Sequence, residues 1–246
     1  MERQNYQDNS VFVIEEGAVS KKFFANVFLW MFVALSLSAG AAYFMASSTQ
    51  EFALLSDPET GGRTVLGYVA MFAPLGLVLL MGAGFNRLSY PTLLAAFIAF
   101  SVLLGVSLSY IFFRFTDGSI AACFAGAAGI FAVMAFLGYT TDVDLSKFGP
   151  ILMIGVVGLI IASVVNMFLN SPTMYYILSF AGVAIFTALT AYDVQKIKRI
   201  GMGIEENGGE IAAADTKKLV LMAALTLYLD FINIFIYLLQ IFGSRR

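Results

Sequence analysis

The chain of 246 residues is too apolar for a water-soluble domain, since 60% of its residues are hydrophobic and only 12% are charged, against roughly a quarter charged in soluble domains. Its formal net charge of -2 offers no basic surface, so nucleic acid is not an expected partner. It contains no histidine, the side chain that normally titrates near neutral pH. Carboxyl groups would therefore have to supply any response to pH.

The polar N-terminal segment, residues 1–22, precedes the first apolar run and is predicted to be cytoplasmic. The run from Phe23 to Gln50 carries no charge. It is longer than the apolar region of about 7 to 15 residues in a signal peptide, and it exceeds the roughly 20 residues that a helix needs to cross a bilayer. We therefore predict that it is retained as the first membrane span.

Six further apolar segments follow, separated by charged residues or turn signals. The predicted spans are Thr64 to Asn86, from there to Arg114, Gly118 to Tyr139, two spans within Phe148 to Tyr192 divided at Asn170-Ser171-Pro172, and Leu219 to Phe242. The connection 201–218 is predicted to be a polar cytoplasmic loop. The sequence thus predicts an all-α integral membrane protein with one seven-helix bundle over residues 23–242.

The distribution of Lys and Arg predicts the orientation, because these residues are retained on the cytoplasmic side in short connections. They cluster before the first span, after the second and after the sixth, at Lys21, Lys22, Arg87, Lys196, Lys198, Arg199, Lys217 and Lys218. A cytoplasmic N-terminus follows. Seven spans then place Arg245 and Arg246 outside, against the rule, so a re-entrant last segment is kept as an alternative.

Two acidic residues lie inside the apolar spans, Asp193 near the end of the sixth and Asp230 in the middle of the seventh. A charge at that depth is costly, so such residues usually face the bundle interior and mark an ion pathway or a proton relay. The polar residues of the seventh span form one stripe of a helix, namely Thr226, Asp230, Asn233, Tyr237 and Gln240. Because lipid cannot satisfy such a stripe, we predict that the last helix is central.

A looser stripe on the sixth span, formed by Thr187, Thr190 and Asp193, can face the first one. Depth counts against a simple pairing of the two aspartates. At a rise of about 1.5 Å per residue, Asp230 lies roughly 18 Å beyond Lys218, whereas Asp193 lies only about 8 Å before Lys198. The carboxyl groups meet only if the sixth helix extends past the membrane face or the seventh begins outside it.

Each aspartate also has an ordinary interpretation. Asp193 precedes several basic residues and could be an interfacial residue paired with Lys196 or Arg199. Asp230 could hold helices together by hydrogen bonds, which contribute about 0.6 kcal/mol on average in membrane proteins. Asn or Thr could form such hydrogen bonds without burying an ionisable carboxyl group in the membrane, which costs more free energy.

A close pair of carboxyl groups would have constrained chemistry. Two carboxylates a few ångströms apart cannot both ionise cheaply, so they would share a proton and titrate as a coupled pair. A histidine-free protein could respond to physiological pH in this way. The same pair, both ionised, would offer oxygen ligands to the hard cation Ca²⁺.

Two motifs that contain these aspartates carry a family resemblance. The motifs ALTAYDVQKI, residues 188–197, and LTLYLDFINIF, residues 225–235, resemble the paired signature of the Bax inhibitor-1 family in its bacterial YccA-like branch. The number of segments, the polar N-terminus and the chain length agree with that family over nearly the whole sequence.

The resemblance implies a seven-helix bundle around a central last helix, in a bacterial cytoplasmic membrane, that acts as a pH-sensitive calcium leak channel. It implies that Asp193 and Asp230 form the paired-aspartate sensor and that Arg87 takes part in the same network. Thr190, Thr226 and Asn233 are the expected supporting residues. The implied partners are the lipid bilayer, calcium ions and protons, with calcium as the permeant ion and no tightly bound cofactor. Unlike some relatives, the chain has no acidic residue between Thr64 and Asn86.

Two other functions compete with conduction. Tyr192-Asp193 matches the first motif of presenilin-like intramembrane aspartyl proteases, which need two aspartates. The glycine-containing second motif is missing around Asp230, and no Pro-Ala-Leu follows it. The other alternative is a regulatory membrane protein without conduction, for which the sequence offers no distinctive site. We therefore expect no enzyme.

Overall fold

The structure of the chain is a computed structural model, and it describes residues 17–47, 52–57, 62–206 and 213–246. Most of the predicted polar segment 1–22 lies outside these ranges. The part that is described begins the first helix at Ala18, before the predicted start at Phe23. The two lysines that mark the membrane boundary are thus helical, as long charged side chains can be at a helix end that reaches the interface.

Seven helices in the described part of the chain are long and apolar enough to cross a membrane, which confirms the predicted all-α fold. Their bounds are α1 Ala18–Ser47, α2 Val65–Gly84, α3 Tyr90–Leu108, α4 Asp117–Thr140, α5 Gly149–Leu169, α6 Pro172–Glu206 and α7 Ala213–Phe242. A short helical segment, Tyr110–Arg114, continues α3, and a 3₁₀ turn, Leu145–Phe148, precedes α5.

Local sequence signals explain most of these helix ends. Side-chain oxygens of Thr64, Ser89 and Thr116 accept backbone N–H groups in the first turns of α2, α3 and α4, where no intrahelical partner exists. Asn170 ends α5 in the left-handed conformation with φ 50°, and Pro172 begins α6. The predicted turn between the fifth and sixth spans is confirmed.

The bundle has two ends, defined here by contacts between helix termini. At the N-terminal face, a carboxylate oxygen of Glu205 accepts the Gly17 backbone N–H at 2.5 Å, and the Lys218 ammonium donates to the Phe85 carbonyl at 3.4 Å. At the opposite C-terminal face, the Arg246 backbone N–H donates to the Arg114 carbonyl at 3.1 Å. Because α7 runs unbroken between the two faces, the re-entrant alternative is wrong.

The predicted polar loop 201–218 is largely helical, which corrects that prediction. Helix α6 continues to Glu206 and α7 begins at Ala213, while 207–212 lie outside the described residues. Charged residues are compatible with a helix once it has left the membrane, and this extension is stabilised from outside α6. The Glu205 carboxylate accepts N–H groups of Gly17 and Ser20, which are otherwise unsatisfied at the start of α1.

Helix α7 is the centre of the bundle, as predicted. In its most apolar part 67% of the residues are buried within the protein, against 6% for α5. Helices α1, α3, α4 and α6 all pack on α7. One of its buried contacts is a hydrogen bond of 2.7 Å between the hydroxyl groups of Tyr228, which is fully buried, and Ser38 on α1.

The closest helix contacts are made at glycines that spacing in the sequence does not single out. A Cβ at Gly105 would overlap the backbone of Ser38, and one at Gly138 would overlap the backbone of Ala191. The closely spaced Gly126 and Gly129, which suggest a helix interface, make no such contact with the described residues.

We predict that Glu205→Ala lowers the apparent melting temperature of the detergent-purified protein by about 2–4 °C. The substitution removes an acceptor equivalent to a helix N-cap, which is worth about 1 kcal/mol, and that loss corresponds to a shift of this size in a chain of this length. The matched control is Glu206→Ala, because Glu206 is exposed and makes no hydrogen bond with any described residue. Equal melting temperatures for the two variants would contradict the prediction.

Candidate functional site

The side chains of Asp193 on α6 and Asp230 on α7 meet inside the bundle, with their carboxyl groups within hydrogen-bonding reach of each other. They are only 8% and 4% exposed. The sequence placed the two aspartates at different depths in the membrane, and the lengths of the helices explain how they still meet. At 1.5 Å per residue, α6 continues about 20 Å beyond Asp193, and α7 begins about 26 Å before Asp230. Both helices pass well beyond the apolar layer at the N-terminal face.

The two polar stripes face each other along the antiparallel α6 and α7, the most extensively packed pair of helices. Toward the C-terminal face, the Ser179 hydroxyl donates to the Gln240 side-chain oxygen at 2.7 Å. One turn further in, the Tyr237 ring lies against Gly182, where a Cβ would overlap the ring. The aspartate pair lies further along the same two facing stripes, offset by one helical turn, so the polar stripe runs from the C-terminal face to the middle of the bundle.

The other polar residues of the two stripes form hydrogen bonds to the backbone of their own helices. The Thr190 and Thr226 hydroxyls donate to carbonyls one turn earlier, and the Asn233 amide does the same at 2.8 Å. Two buried oxygen atoms make no hydrogen bond with any described residue, Thr187 Oγ1 and Asp230 Oδ2. Unpaired buried oxygens are costly, so these two atoms are the natural contacts for a proton, a water molecule or a cation.

Arg87, predicted to belong to the same network, does not reach the aspartate pair. It lies exposed in the turn between α2 and α3 and forms no ion pair with a described residue. This turn lies at the surface of the N-terminal face, whereas the pair lies between α6 and α7, so a role of Arg87 in the same network stays a prediction without a supporting contact. The charged group that interacts with Asp193 is Lys196, one turn further along α6.

Arg199, the other basic residue considered for Asp193, binds Asp144 instead. Its guanidinium lies 2.5 Å from the Asp144 carboxylate in the connection between α4 and α5. Hydrogen bonds from the Ser146 hydroxyl and from Arg199 lower the pKa of Asp144 to about 2. Asp144 therefore stays ionised at physiological pH and cannot act as a sensor there.

Gln195 is a positioning residue that sequence reasoning missed. Its side chain is 6% exposed, donates to the Val143 carbonyl and accepts the Leu145 N–H, both at 2.8 Å. It thereby holds the α4–α5 connection against α6, two residues from Asp193. Only its place inside the family motif could have indicated this role, since an amide next to lysines normally faces water.

The pair is closed off from the N-terminal face by an apolar plug. The plug consists of buried residues of α1, α6 and α7, namely Phe23, Val27, Ile197, Ile204 and Leu221. All of them lie between the aspartates and the N-terminal face, because α1 and α7 begin at that face and α6 ends there. The five side chains belong to one buried apolar cluster, which separates the pair from the N-terminal face.

Toward the C-terminal face the bundle is open. A vestibule of about 570 Å³ lies between α5, α6 and α7, lined by Arg114, Asn166, Tyr175, Asn233, Tyr237 and Arg245 among others. Asn233 is one helical turn from Asp230, about 4.5 Å along the axis. The polar stripe of α7 thus connects the vestibule to the aspartate pair.

The described residues contain no group of three or more acidic or cysteine side chains that could hold a metal ion. The pair alone supplies at most four carboxylate oxygens, fewer than the six to eight that Ca²⁺ normally takes. The site is therefore suited to a transient contact with a cation that keeps part of its water.

These features define a polytopic helical membrane protein whose central last helix contributes half of a buried acidic pair. The family described as "Inhibitor of apoptosis-promoting Bax1" matches residues 20–246, and the chain belongs to that family. It is 38% identical over 95% of its length to "Inner membrane protein YbhL" of Escherichia coli (strain K12), 96% of which is covered. It is 40% identical over 94% of its length to an uncharacterized protein of Borreliella burgdorferi, 96% of which is covered.

We predict opposite effects for two glycine substitutions in α4. Gly138→Ala should lower the apparent melting temperature, because the new Cβ overlaps the Ala191 backbone beside the site and overpacking costs about 1–3 kcal/mol. Gly129→Ala should leave it unchanged or raise it, because Gly129 is exposed with open space around it and alanine favours helix by up to about 1 kcal/mol. Thermal unfolding in detergent measures both, and a stable Gly138→Ala protein would refute the close contact.

Proposed function

We propose that the protein is a pH-sensitive calcium leak channel of the Bax inhibitor-1 type, in which protonation of the Asp193 and Asp230 pair controls the passage of Ca²⁺. The proposal depends on one observation, the contact between two carboxyl groups buried in the centre of the bundle. A hydrogen bond between them requires one of the two to carry a proton, because an ionised carboxylate only accepts.

The shared proton connects pH to the packing of α6 on α7. Two ionised carboxylates at this distance repel each other, and the repulsion is strong where water is excluded. Asp193 belongs to α6 and Asp230 to α7, and these two helices share the most extensive contact in the bundle. A change in the protonation of the pair therefore changes the free energy of the contact between α6 and α7.

The proposed pathway begins at the vestibule and follows the stripe of α7 to the aspartate pair. The two unpaired oxygens, Thr187 Oγ1 and Asp230 Oδ2, lie on the helices that form this stripe. The apolar plug is the closed end, and conduction requires α6 and α7 to separate from α1 at the N-terminal face. The apolar interior of the plug suits a gate, since apolar constrictions close pores by excluding water.

We further propose that the N-terminal face is cytoplasmic, in a bacterial inner membrane. The relative from Escherichia coli is named an inner membrane protein, and short cytoplasmic connections are rich in Lys and Arg. Of the basic residues that the structure describes, four belong to the opposite face. These are Arg63, Arg114, Arg245 and Arg246, while nine belong to the N-terminal face. Arg246 is also neutralised by an ion pair with Asp117 at 2.8 Å.

We predict that Ca²⁺ flux into proteoliposomes changes between pH 6 and pH 8 for the wild-type protein and becomes independent of pH for Asp230→Asn. An asparagine amide can donate a hydrogen bond to Asp193 at every pH in this range, so the contact no longer depends on a shared proton. Flux is measured with a calcium dye inside the vesicles, with protein-free vesicles at each pH as background.

Asp144→Asn is the matched control, because it replaces an aspartate that is already ionised throughout this range. It should retain the pH dependence of the wild type. An unchanged pH profile in Asp230→Asn would end the proposal. Absence of flux in all proteins, with cleavage of a membrane-spanning reporter that Asp193→Ala abolishes, would favour the protease alternative over our proposal of a non-enzymatic channel.

A further inference from the structure

The vestibule at the C-terminal face has a charge that cation conduction does not explain. Arg114 and Arg245 both line it, and its lining contains no acidic side chain. Neither arginine forms an ion pair with a described residue, although Arg246 beside them does. A cavity that collects two uncompensated guanidinium groups favours a negatively charged occupant.

Backbone pairing holds the C-terminal tail against the end of the helical segment Tyr110–Arg114, and both arginines line the vestibule. Phe115 and Arg245 form an isolated antiparallel bridge, in which the Thr116 N–H donates to the Ser244 carbonyl at 3.0 Å. The Arg245 guanidinium lies over the Tyr175 ring, 6.0 Å from its centroid. Backbone pairing therefore fixes where both arginines attach to the rim of the vestibule, and their position does not depend on a freely moving chain end.

Other groups around the vestibule can also bind an anion. Helix α6 begins at its edge, with Ser171 and Pro172 in the lining, and a helix N-terminus carries a partial positive charge. Tyr175 and Tyr176 line the same cavity and have hydroxyl groups that can donate. The volume of about 570 Å³ is within the range of about 300–1,000 Å³ typical of ligand sites.

The position of the vestibule points to a lipid. One wall is the end of α5, where Met167 lines the cavity while Phe168 and Leu169 next to it are 76% and 64% exposed. Only 6% of the apolar part of α5 is buried in the protein, so acyl chains cover this helix. A headgroup can enter the vestibule while its chains stay on α5.

We propose that the vestibule is a binding site for the phosphate headgroup of an anionic phospholipid, held by Arg114 and Arg245. The site is distinct from the aspartate pair and stands whether or not the protein conducts calcium. Two guanidinium groups recognise a phosphate diester by charge-assisted hydrogen bonds. A zwitterionic headgroup carries its own ammonium group and competes poorly for the same place.

The test is native mass spectrometry of the full chain in neutral detergent, titrated with phosphatidylglycerol. We expect one phosphatidylglycerol to bind at least tenfold more tightly than phosphatidylcholine, and Arg114→Gln/Arg245→Gln to weaken it at least tenfold. The matched control is Arg246→Gln, which removes a charge at the same face from an ion pair outside the cavity and should bind like the wild type. Arg114→Lys/Arg245→Lys should restore part of the affinity, because it keeps the charge.

The source of the phosphate is distinguished by two further titrations, with inorganic phosphate and with glycerol 3-phosphate. Weak binding of both, compared with phosphatidylglycerol, supports a lipid site. Tight, arginine-dependent binding of a soluble phosphate without any preference for phosphatidylglycerol would overturn the lipid proposal. So would equal binding of phosphatidylglycerol by the wild type and by the glutamine double variant, or equal binding of the two lipids by the wild type.

Discussion

The contact between the buried carboxyl groups of Asp193 and Asp230 is the interaction on which the rest of the structure depends. Two adjacent buried carboxyl groups are costly to ionise together, and they stay in contact only if the surrounding helices hold them there. Helix α6 extends past the apolar layer so that Asp193 reaches the depth of Asp230. Gly138 lets α4 approach the backbone of Ala191, which closes the site from the side.

The interior is asymmetric about this pair. Toward the N-terminal face the pair is covered by the apolar plug, whereas toward the C-terminal face the polar stripe of α7 reaches the vestibule. Arg114 and Arg245 in that vestibule repel a cation, so a bound phosphate group would also serve the proposed calcium pathway by offsetting their charge. In this way the lipid site and the aspartate pair would act at the two ends of one stripe.

The N-terminal face is held by contacts that do not involve the aspartate pair. The Arg199 contact to Asp144 persists because the pKa of Asp144 is about 2, and the amide of Gln195 carries no charge. Glu205 fixes the end of α6 to the start of α1. In the proposed mechanism, a change in proton occupancy at the aspartate pair would alter the packing of α6 on α7.

The sequence by itself determined the seven spans, the central place of α7 and the aspartates as the residues to examine, because lipid penalises every polar group that has no partner inside the protein. It predicted a loop over 201–218, which the described residues show to be largely helical. It placed Arg87 in the network of the aspartates, where no described contact joins it, and its only sign of Gln195 was the place of that residue inside the family motif. Only the tertiary structure decided which side chains meet, since contacts between helices depend on their relative depth and rotation. These are set by packing across the whole bundle, which no single segment encodes.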